Sequence, residues 1–215
     1  MLSRDELRTG MRLYAVTDNA WLGERSLASC VAEALAGGAT FVQLRDKHAS
    51  TKSLVSQAAE LKVLCEKAGV PFVINDDVEA AHQAGADGVH VGQDDMACAK
   101  ARALLGPQKI VGVSVQTVGE AQAAEAEGAD YLGVGALFGT ATKPDAVDVT
   151  FEELAAICRS VTIPVVAIGG LNAATIPELA GTGVDGAAVV SAIFAADDIQ
   201  ESTCRLRRIV DETLA

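Results

Sequence analysis

The sequence predicts one domain of the α/β class, a closed (β/α)8 TIM barrel. Short apolar runs, often β-branched, alternate with Ala-rich segments of helical period, and eight such units can be counted. Hydrophobic residues make up 50% of the chain and aromatic residues 4%, which suits parallel strands buried on both faces and covered by helices. A length of 215 residues also fits one barrel. We therefore expect a single domain over 1–215, with 1–10 as a short charged N-terminal extension.

Each predicted strand is a short apolar run bounded by polar or glycine-containing segments. In chain order the strands are Leu13–Val16, Phe41–Leu44, Phe72–Ile74, Gly88–Val91, Ile110–Val113, Tyr131–Val134, Val165–Ile168 and Ala187–Val190. Segments between them carry apolar residues at helical spacing. The intervening helices include Leu54–Lys67, Ala97–Leu105, Val118–Glu127 and Glu152–Arg159.

A short repeat supports this division into units. Triplets that begin with glycine, at 38–40, 85–87, 128–130 and 183–185, stand before every second predicted strand. Each glycine can end the preceding helix in a left-handed conformation. The regular punctuation indicates a barrel built from repeated pairs, whereas an open doubly wound sheet usually has fewer strands and a Gly-rich first turn.

Composition excludes several classes of function. The formal net charge of -12 argues against general affinity for nucleic acid or for an anionic membrane, because both depend on clustered Lys and Arg. No apolar run reaches the ~18 residues of a membrane span, and 1–10 lacks a signal-peptide run, so we expect a cytoplasmic protein. The five cysteines are scattered without C-x-x-C spacing, which indicates reduced thiols with a packing role.

One connection differs from the others. The segment 138–148, FGTATKPDAVD, is too rich in Gly, Pro and Thr to continue a strand or a helix, so it is predicted to be a long loop after the sixth strand. In such barrels the loops at the carboxyl ends of the strands build the active site, which makes this segment a candidate lid over substrate. An inert surface loop is the alternative.

Polar residues converge on the carboxyl end of the predicted barrel, because each follows a strand. They are Gln43, Arg45 and Lys47, Asn75 and Asp76, Asp94 and Asp95, Ser114, Thr140, Thr142 and Lys143, Gly169 and Gly170, and Ser191. The opposite end shows no comparable concentration. This asymmetry predicts an active site at the carboxyl end.

Asp76 and Asp95 lie one βα unit apart, so their carboxylates could meet at adjacent strand ends and share a hard cation. Magnesium suits so sparse a ligand set, since it accepts one or two carboxylates with water and phosphate oxygens completing the octahedron. Either carboxylate alone could instead cap a helix. Asp77 and Asp94 are the stronger cap candidates.

Arg45, Lys47 and Lys143 are three cations at predicted loop positions on one face of an acidic protein. A multiply charged anion such as a pyrophosphate would need them there, although each alone could be a solvated surface residue.

Backbone N–H groups at Gly169-Gly170 and Val190-Ser191 could bind a single phosphate, as at the same place in many barrels, with plain turn geometry as the alternative. The three histidines form no clear triad, and Ser114 has no obvious partner base in the sequence.

Several motifs in order resemble the thiamin phosphate synthase family, over about Arg12 to Ala195. In the first half they are Tyr14-Ala-Val-Thr-Asp18, Gln43-Leu-Arg-Asp-Lys47, Ile74-Asn-Asp76, Ala86-Asp-Gly-Val-His-Val-Gly-Gln-Asp-Asp95 and Gly112-Val-Ser114. In the second half they are Gly128-Ala-Asp-Tyr-Leu-Gly-Val-Gly135, Thr140-Ala-Thr-Lys143, Ile168-Gly-Gly170 and Gly186-Ala-Ala-Val-Val-Ser191.

The resemblance implies a transferase of thiamine biosynthesis that joins 4-amino-2-methyl-5-pyrimidinylmethyl diphosphate to 4-methyl-5-(2-phosphooxyethyl)thiazole, releasing pyrophosphate. It implies catalytic roles for Arg45, Lys47, Lys143 and Ser114, and magnesium on Asp76 and Asp95. By the same resemblance the pyrimidine diphosphate would be held by Gln43, Arg45, Lys47, Asn75 and Lys143, with Ser114 beside it. The thiazole phosphate would be bound by Thr140, Thr142, Gly170, Val190 and Ser191. Further implied substrate-binding positions are Leu44, Asp46 and Ala141.

The implied mechanism is dissociative and needs no general base, with small-molecule substrates as the partners and a homo-oligomer as a possible assembly. Two residues depart from the family pattern: Gly139 stands where proline is expected, and Gln116 where histidine is frequent. Three rival readings remain: a thiazole tautomerase, which needs no diphosphate site, a noncatalytic barrel that binds a phosphorylated metabolite, and an unrelated phosphate-binding epimerase or aldolase.

Overall fold

A computed structural model describes residues 2–138 and 149–215. Its strands are β1 Leu13–Val16, β2 Phe41–Leu44, β3 Phe72–Asn75, β4 Gly88–Val91, β5 Ile110–Val115, β6 Tyr131–Val134, β7 Val165–Ile168 and β8 Gly186–Val189. The strands pair in parallel in the order of the sequence, and β8 pairs with β1, which closes the barrel. The predicted (β/α)8 barrel is therefore confirmed.

Helices cover the outside of this barrel. They are α1 Arg4–Gly10, α2 Leu27–Ala36, α3 Thr51–Ala68, α4 Val78–Ala84, α5 Cys98–Leu105, α6 Val118–Ala126, α7 Phe151–Ser160, α8 Ser191–Phe194 and α9 Ile199–Thr213, with 3-10 helices at Asn19–Trp21 and Ile176–Leu179. None of these described helices is long and apolar enough to cross a bilayer.

Caps and backbone geometry explain where element ends differ from the apolar pattern. Helix α3 begins at Thr51 rather than Leu54 because the Ser50 side chain accepts from the Ser53 N–H and caps it. The last predicted strand is shifted by one residue: Val190 has left strand geometry, with φ -110° and ψ -86°, and stands directly before α8.

The core has two layers that follow the alternation of side chains along each strand. One layer lies between the strands and the helices. The other fills the barrel interior with large side chains, among them Tyr14, Phe41 and Tyr131. The N-terminal extension contributes to the second layer, because Leu7 of α1 and the following Met11 are buried in it. Residues 4–10 therefore form a helix against the amino end of the barrel.

The repeated triplets have a common structural role. The side chains of Thr40, Asp87, Asp130 and Asp185 accept hydrogen bonds from the backbone N–H groups of Leu13, Phe72, Val111 and Val165, at 2.8 to 2.9 Å. The last residue of each triplet thus links the amino end of the strand that follows it to the amino end of the odd-numbered strand before it. Four such ties surround the end of the barrel opposite the polar residues.

Replacing Asp130 with alanine is expected to lower the free energy of unfolding by about 2 kcal/mol. The change removes the acceptor for the Val111 N–H and the ion-pair partner of Arg102. Urea unfolding followed by circular dichroism measures the loss. Asp197→Ala, the same change at an exposed position, is the control, and equal stability of the two variants would show that the tie contributes nothing.

Candidate functional site

A cavity of about 510 Å³ opens at the carboxyl end of the barrel. Every strand contributes to its wall, either directly or through the residues that follow it. The predicted residues that line it are Gln43, Arg45, Lys47, Asn75, Asp76, Asp94, Asp95, Ser114, Gly169, Gly170, Val190 and Ser191. Residues predicted from separate strands therefore come together in one site.

Two residues of the segment Gln43–Lys47, Leu44 and Asp46, contact other parts of the protein and do not line the cavity. Leu44 is fully buried in the layer between strands and helices, because its side chain alternates with Gln43 to the outside of the barrel. The Asp46 carboxylate accepts from the side chains of Asn19 and Gln57 at 2.7 and 3.1 Å. Neither residue lines the cavity, and their contact with substrate stays a prediction.

The predicted loop residues Thr140, Ala141, Thr142 and Lys143 lie outside the described residues, as does most of the candidate lid at 138–148. Of the two departures from the family pattern, Gly139 also lies outside them, while Gln116 lines the cavity.

Both the backbone and the guanidinium of Arg45 are fixed by contacts with neighbouring residues. Its N–H donates to the Thr17 hydroxyl at 2.9 Å, and Thr17 is fully buried. Its Nη1 lies 3.6 Å from the Asp18 carboxylate, and the arginine side chain is only 13% exposed. Such anchoring fixes a cation at the wall of the cavity before any anion arrives. Asp18 therefore supports the site, a role that the sequence did not reveal.

The two predicted metal ligands occupy adjacent strand ends, as expected. Asp76 follows β3 with a positive φ of 64°, and its N–H donates to the His90 carbonyl at 2.7 Å. After β4, one carboxylate oxygen of Asp95 accepts from the Gly92 N–H at 2.7 Å. Within 2–138 and 149–215 no group of three or more His, Cys, Asp or Glu side chains could hold a metal.

The prediction for the neighbouring aspartates is half correct. Asp77 caps α4, since its carboxylate accepts from the Ala80 N–H at 2.8 Å. Asp94 caps no helix, because the residue before α5 is Ala97, which has no side-chain cap. Asp94 stands three residues before that cap position and lines the cavity instead.

The turn after β7 has the backbone geometry of a close approach. Gly169 and Gly170 both have positive φ, at 102° and 67°. The Gly170 carbonyl accepts from Asn172 Nδ2 at 3.1 Å and from Thr175 Oγ1 at 3.2 Å, which holds its peptide plane in one orientation. The turn faces the same cavity as Val190 and Ser191 after β8.

A hydrogen-bonded chain at the cavity floor was missed from the sequence. His90 is buried, as expected for a strand histidine, but its Nε2 lies 2.9 Å from the Ser114 hydroxyl and its Nδ1 lies 2.9 Å from the Tyr131 hydroxyl. The Tyr131 and Tyr14 hydroxyls are 2.7 Å apart, and Gln43 Nε2 donates to Tyr14 at 2.7 Å. Burial raises the pKa of both tyrosines, so both stay protonated at neutral pH.

The cysteines are all unpaired thiols, as the spacing predicted. Burial raises the pKa of Cys65 and of Cys158 to about 12 and that of Cys98 to about 11, which removes their nucleophilic thiolate form near neutral pH. None of the five lines the cavity.

Comparisons with known proteins agree with this geometry. A family model described as thiamine monophosphate synthase matches residues 13–193. The thiamine-phosphate synthase of Chloroflexus aurantiacus is 49% identical over 203 residues, covering 94% of both chains, and that of Ruminiclostridium cellulolyticum is 48% identical, covering 92% of this chain and 94% of its own.

The solved structure of thiamine phosphate pyrophosphorylase from Pyrococcus furiosus superposes with a TM-score of 0.90 at 41% identity, covering 97% of this chain and 100% of its own. With matches this extensive in sequence and in fold, the chain belongs to the thiamine monophosphate synthase family.

Proposed function

We propose that the chain condenses 4-amino-2-methyl-5-pyrimidinylmethyl diphosphate with 4-methyl-5-(2-phosphooxyethyl)thiazole to form thiamine phosphate and pyrophosphate. Membership of the family makes it a transferase of thiamine biosynthesis. The choice of substrates rests on one observation. Two carboxylates, Asp76 and Asp95, converge with two cations, Arg45 and Lys47, on one side of the cavity, and a glycine turn forms its other side.

The diphosphate would bind on the side of β2 to β5. Arg45 is anchored there by Asp18, and Lys47 and Asn75 line the same wall. A preorganised guanidinium loses little side-chain entropy when it takes up phosphate oxygens. Ser114 would donate to the same group. Lys143, from outside the described residues, would complete the cationic set.

Asp76 and Asp95 fit magnesium better than zinc or calcium. They supply two hard oxygen ligands, and diphosphate and water can complete the octahedron that a third protein ligand would otherwise provide. When bound, magnesium would neutralise charge that develops on the departing diphosphate. The two carboxylates would hold that charge within the same wall as Arg45 and Lys47.

The reaction would proceed by dissociation. The electron-rich aminopyrimidine can delocalise positive charge on its methylene carbon as the bond to the diphosphate oxygen breaks, and the thiazole nitrogen then forms the new bond to that carbon. No proton has to be removed for this step, and the site offers no reactive thiolate. The protein would stabilise the leaving group and hold the two rings in line.

The thiazole phosphate would bind at the opposite side, at the Gly169–Gly170 turn and at Val190–Ser191. Thr140 and Thr142 would also bind the thiazole phosphate. A phosphate on the thiazole would anchor that ring while its nitrogen faces the pyrimidine, which is a matter of position rather than of acid or base catalysis. We place the reaction in the cytoplasm, where the five unpaired thiols would stay reduced.

Purified protein mixed with both substrates and magnesium should form thiamine phosphate and pyrophosphate in equal amounts. Chromatography of thiamine phosphate and a coupled assay for pyrophosphate measure the two products. Omission of the thiazole phosphate is the control for hydrolysis of the diphosphate. Binding of the thiazole phosphate without either product would instead support a tautomerase or a binding protein.

A further inference from the structure

Five side chains from five strands form one continuous hydrogen-bonded chain beneath the cavity. The order is Gln43, Tyr14, Tyr131, His90 and Ser114, with neighbouring polar atoms 2.7 to 2.9 Å apart. Gln43 and Ser114, at the two ends, both line the cavity. The chain therefore links two points of the site through three buried side chains.

Two glycines leave space for this chain. A Cβ at Gly112 would lie 2.1 Å from Cζ of the Tyr131 ring, and a Cβ at Gly133 would lie 3.0 Å from Cε1 of His90. Any other residue at 112 would displace Tyr131, since contacts under about 3 Å between such atoms cannot be accommodated without movement. The backbone of β5 and β6 thus leaves room for Tyr131 and His90, the third and fourth members of the chain.

The number of available protons restricts the direction in which the hydrogen bonds of this chain can run. A neutral imidazole has one N–H, so His90 donates to one hydroxyl and accepts from the other. If Gln43 donates to Tyr14 and the Tyr14 proton has its acceptor within the chain, then Tyr14 donates to Tyr131, Tyr131 donates to His90 Nδ1, and His90 Nε2 donates to Ser114. The Ser114 proton is then directed to a further acceptor. In the opposite sense Ser114 donates to His90 and offers only lone pairs to the cavity.

We propose that Tyr131 holds His90 as the neutral tautomer protonated on Nε2, and that this makes the Ser114 hydroxyl a donor to the anionic end of the substrate. Tyr131 and His90 are positioning residues in this arrangement. An anion at Ser114 requires a hydrogen-bond donor there. This requirement selects the same direction of hydrogen bonds along the chain as a Gln43 amide that donates to Tyr14. The Gln43 carbonyl oxygen is then left as the acceptor for a donor group on the neutral part of the substrate.

The tautomer can be measured without substrate. In native protein labelled with ¹⁵N at its three histidines, two-bond couplings from the ring protons identify the protonated nitrogen, and His48→Gln and His82→Gln assign the remaining signal to His90. We expect protonation on Nε2 in the wild type and in Tyr14→Phe, which leaves the Tyr131 hydroxyl in place. Tyr131→Phe should give a mixture of tautomers. Protonation on Nδ1 in the wild type would overturn the proposal.

A double-mutant cycle tests the consequence for turnover and rests on the proposed function. Ser114→Ala should lower kcat/KM for the pyrimidine diphosphate about 30-fold and Tyr131→Phe about tenfold, because hydrogen bonds to charged groups are the strong ones. The double variant should be no worse than Ser114→Ala, since Tyr131 acts through Ser114.

If the loss in the double variant equalled the product of the two single losses, Tyr131 would have a separate, structural role. That result would contradict the proposal. Circular dichroism and thermal unfolding establish that each variant is folded. A wild-type protein that forms no thiamine phosphate would refute the proposed function, and the tautomer measurement would then decide the inference about His90 alone.

Discussion

Replacing Asp76 with asparagine should lower kcat/KM about a thousandfold in saturating magnesium, because a metal that neutralises a leaving group contributes several kcal/mol to transition-state stabilisation. The loss should be accompanied by a higher magnesium concentration at half-maximal rate. Pyrophosphate release over a magnesium series measures both quantities. The expected effect is the largest of any single change on the diphosphate side of the cavity.

Asparagine is a better test than alanine at this position for a conformational reason. Asp76 has a φ of 64°, which asparagine adopts readily and which costs alanine about 1 kcal/mol. The amide keeps the size of the side chain and the Asp76 N–H keeps its bond to the His90 carbonyl, so stability should change little. Any loss of activity then reports on the missing negative charge.

Asp94→Asn is the matched control. Asp94 lines the same cavity and follows the same strand as Asp95, but it makes no hydrogen bond or ion pair with the described residues. Its activity should stay within a few-fold of the wild type, as is usual for a solvated surface group. If Asp76→Asn and Asp94→Asn had the same activity and the same magnesium dependence, Asp76 would not be a metal ligand.

Sequence reasoning succeeded where a short-range pattern determines the answer. Strand alternation and the rule that polar loop residues gather at the carboxyl ends of parallel strands placed Gln43, Arg45, Asn75 and Asp76 on one cavity wall. The same alternation directs the Leu44 side chain to the layer between strands and helices. The triplets before every second strand were recognised as punctuation, but their side-chain ties to the preceding strand needed the register of the barrel.

The chain of buried hydroxyls could not be predicted in this way. Tyr14 and Tyr131 are 117 positions apart and lie on β1 and β6, which are not neighbours in the barrel, so only its closure brings their hydroxyls within 2.7 Å. The signal available in the sequence was indirect. Gly112 and Gly133 interrupt strands that are otherwise apolar, and a glycine within a strand often marks the close approach of another group.

Replacing Gly170 with alanine should lower kcat/KM for the thiazole phosphate about 100-fold, because displacement of a binding group by about 1 Å can cost that much. The added Cβ would lie 2.6 Å from Cβ of Phe138 and 3.1 Å from the Phe138 carbonyl oxygen. One of the two backbone segments must move. We expect the turn to move, because it carries the new atom, and its movement displaces the groups that would hold the phosphate.

Gly181→Ala separates this displacement from the cost of the backbone conformation. Gly181 has a φ of 76°, close to the 67° of Gly170, but a Cβ there meets nothing within 4 Å. Both variants should lose about 1 kcal/mol of stability from the left-handed conformation. Only Gly170→Ala should lose a further ~1 to 3 kcal/mol from overpacking, and only it should lose affinity for the thiazole phosphate.

Urea unfolding and steady-state rates at varied thiazole phosphate give the two comparisons. The KM for the pyrimidine diphosphate serves as an internal reference, since Arg45 and Lys47 lie on the other wall and should keep their positions. A Gly170→Ala enzyme with a raised KM for the thiazole phosphate alone would locate that phosphate at the turn after β7. Unchanged kinetics in a variant that is measurably destabilised would mean that the turn moves without consequence, and the phosphate would have to bind elsewhere.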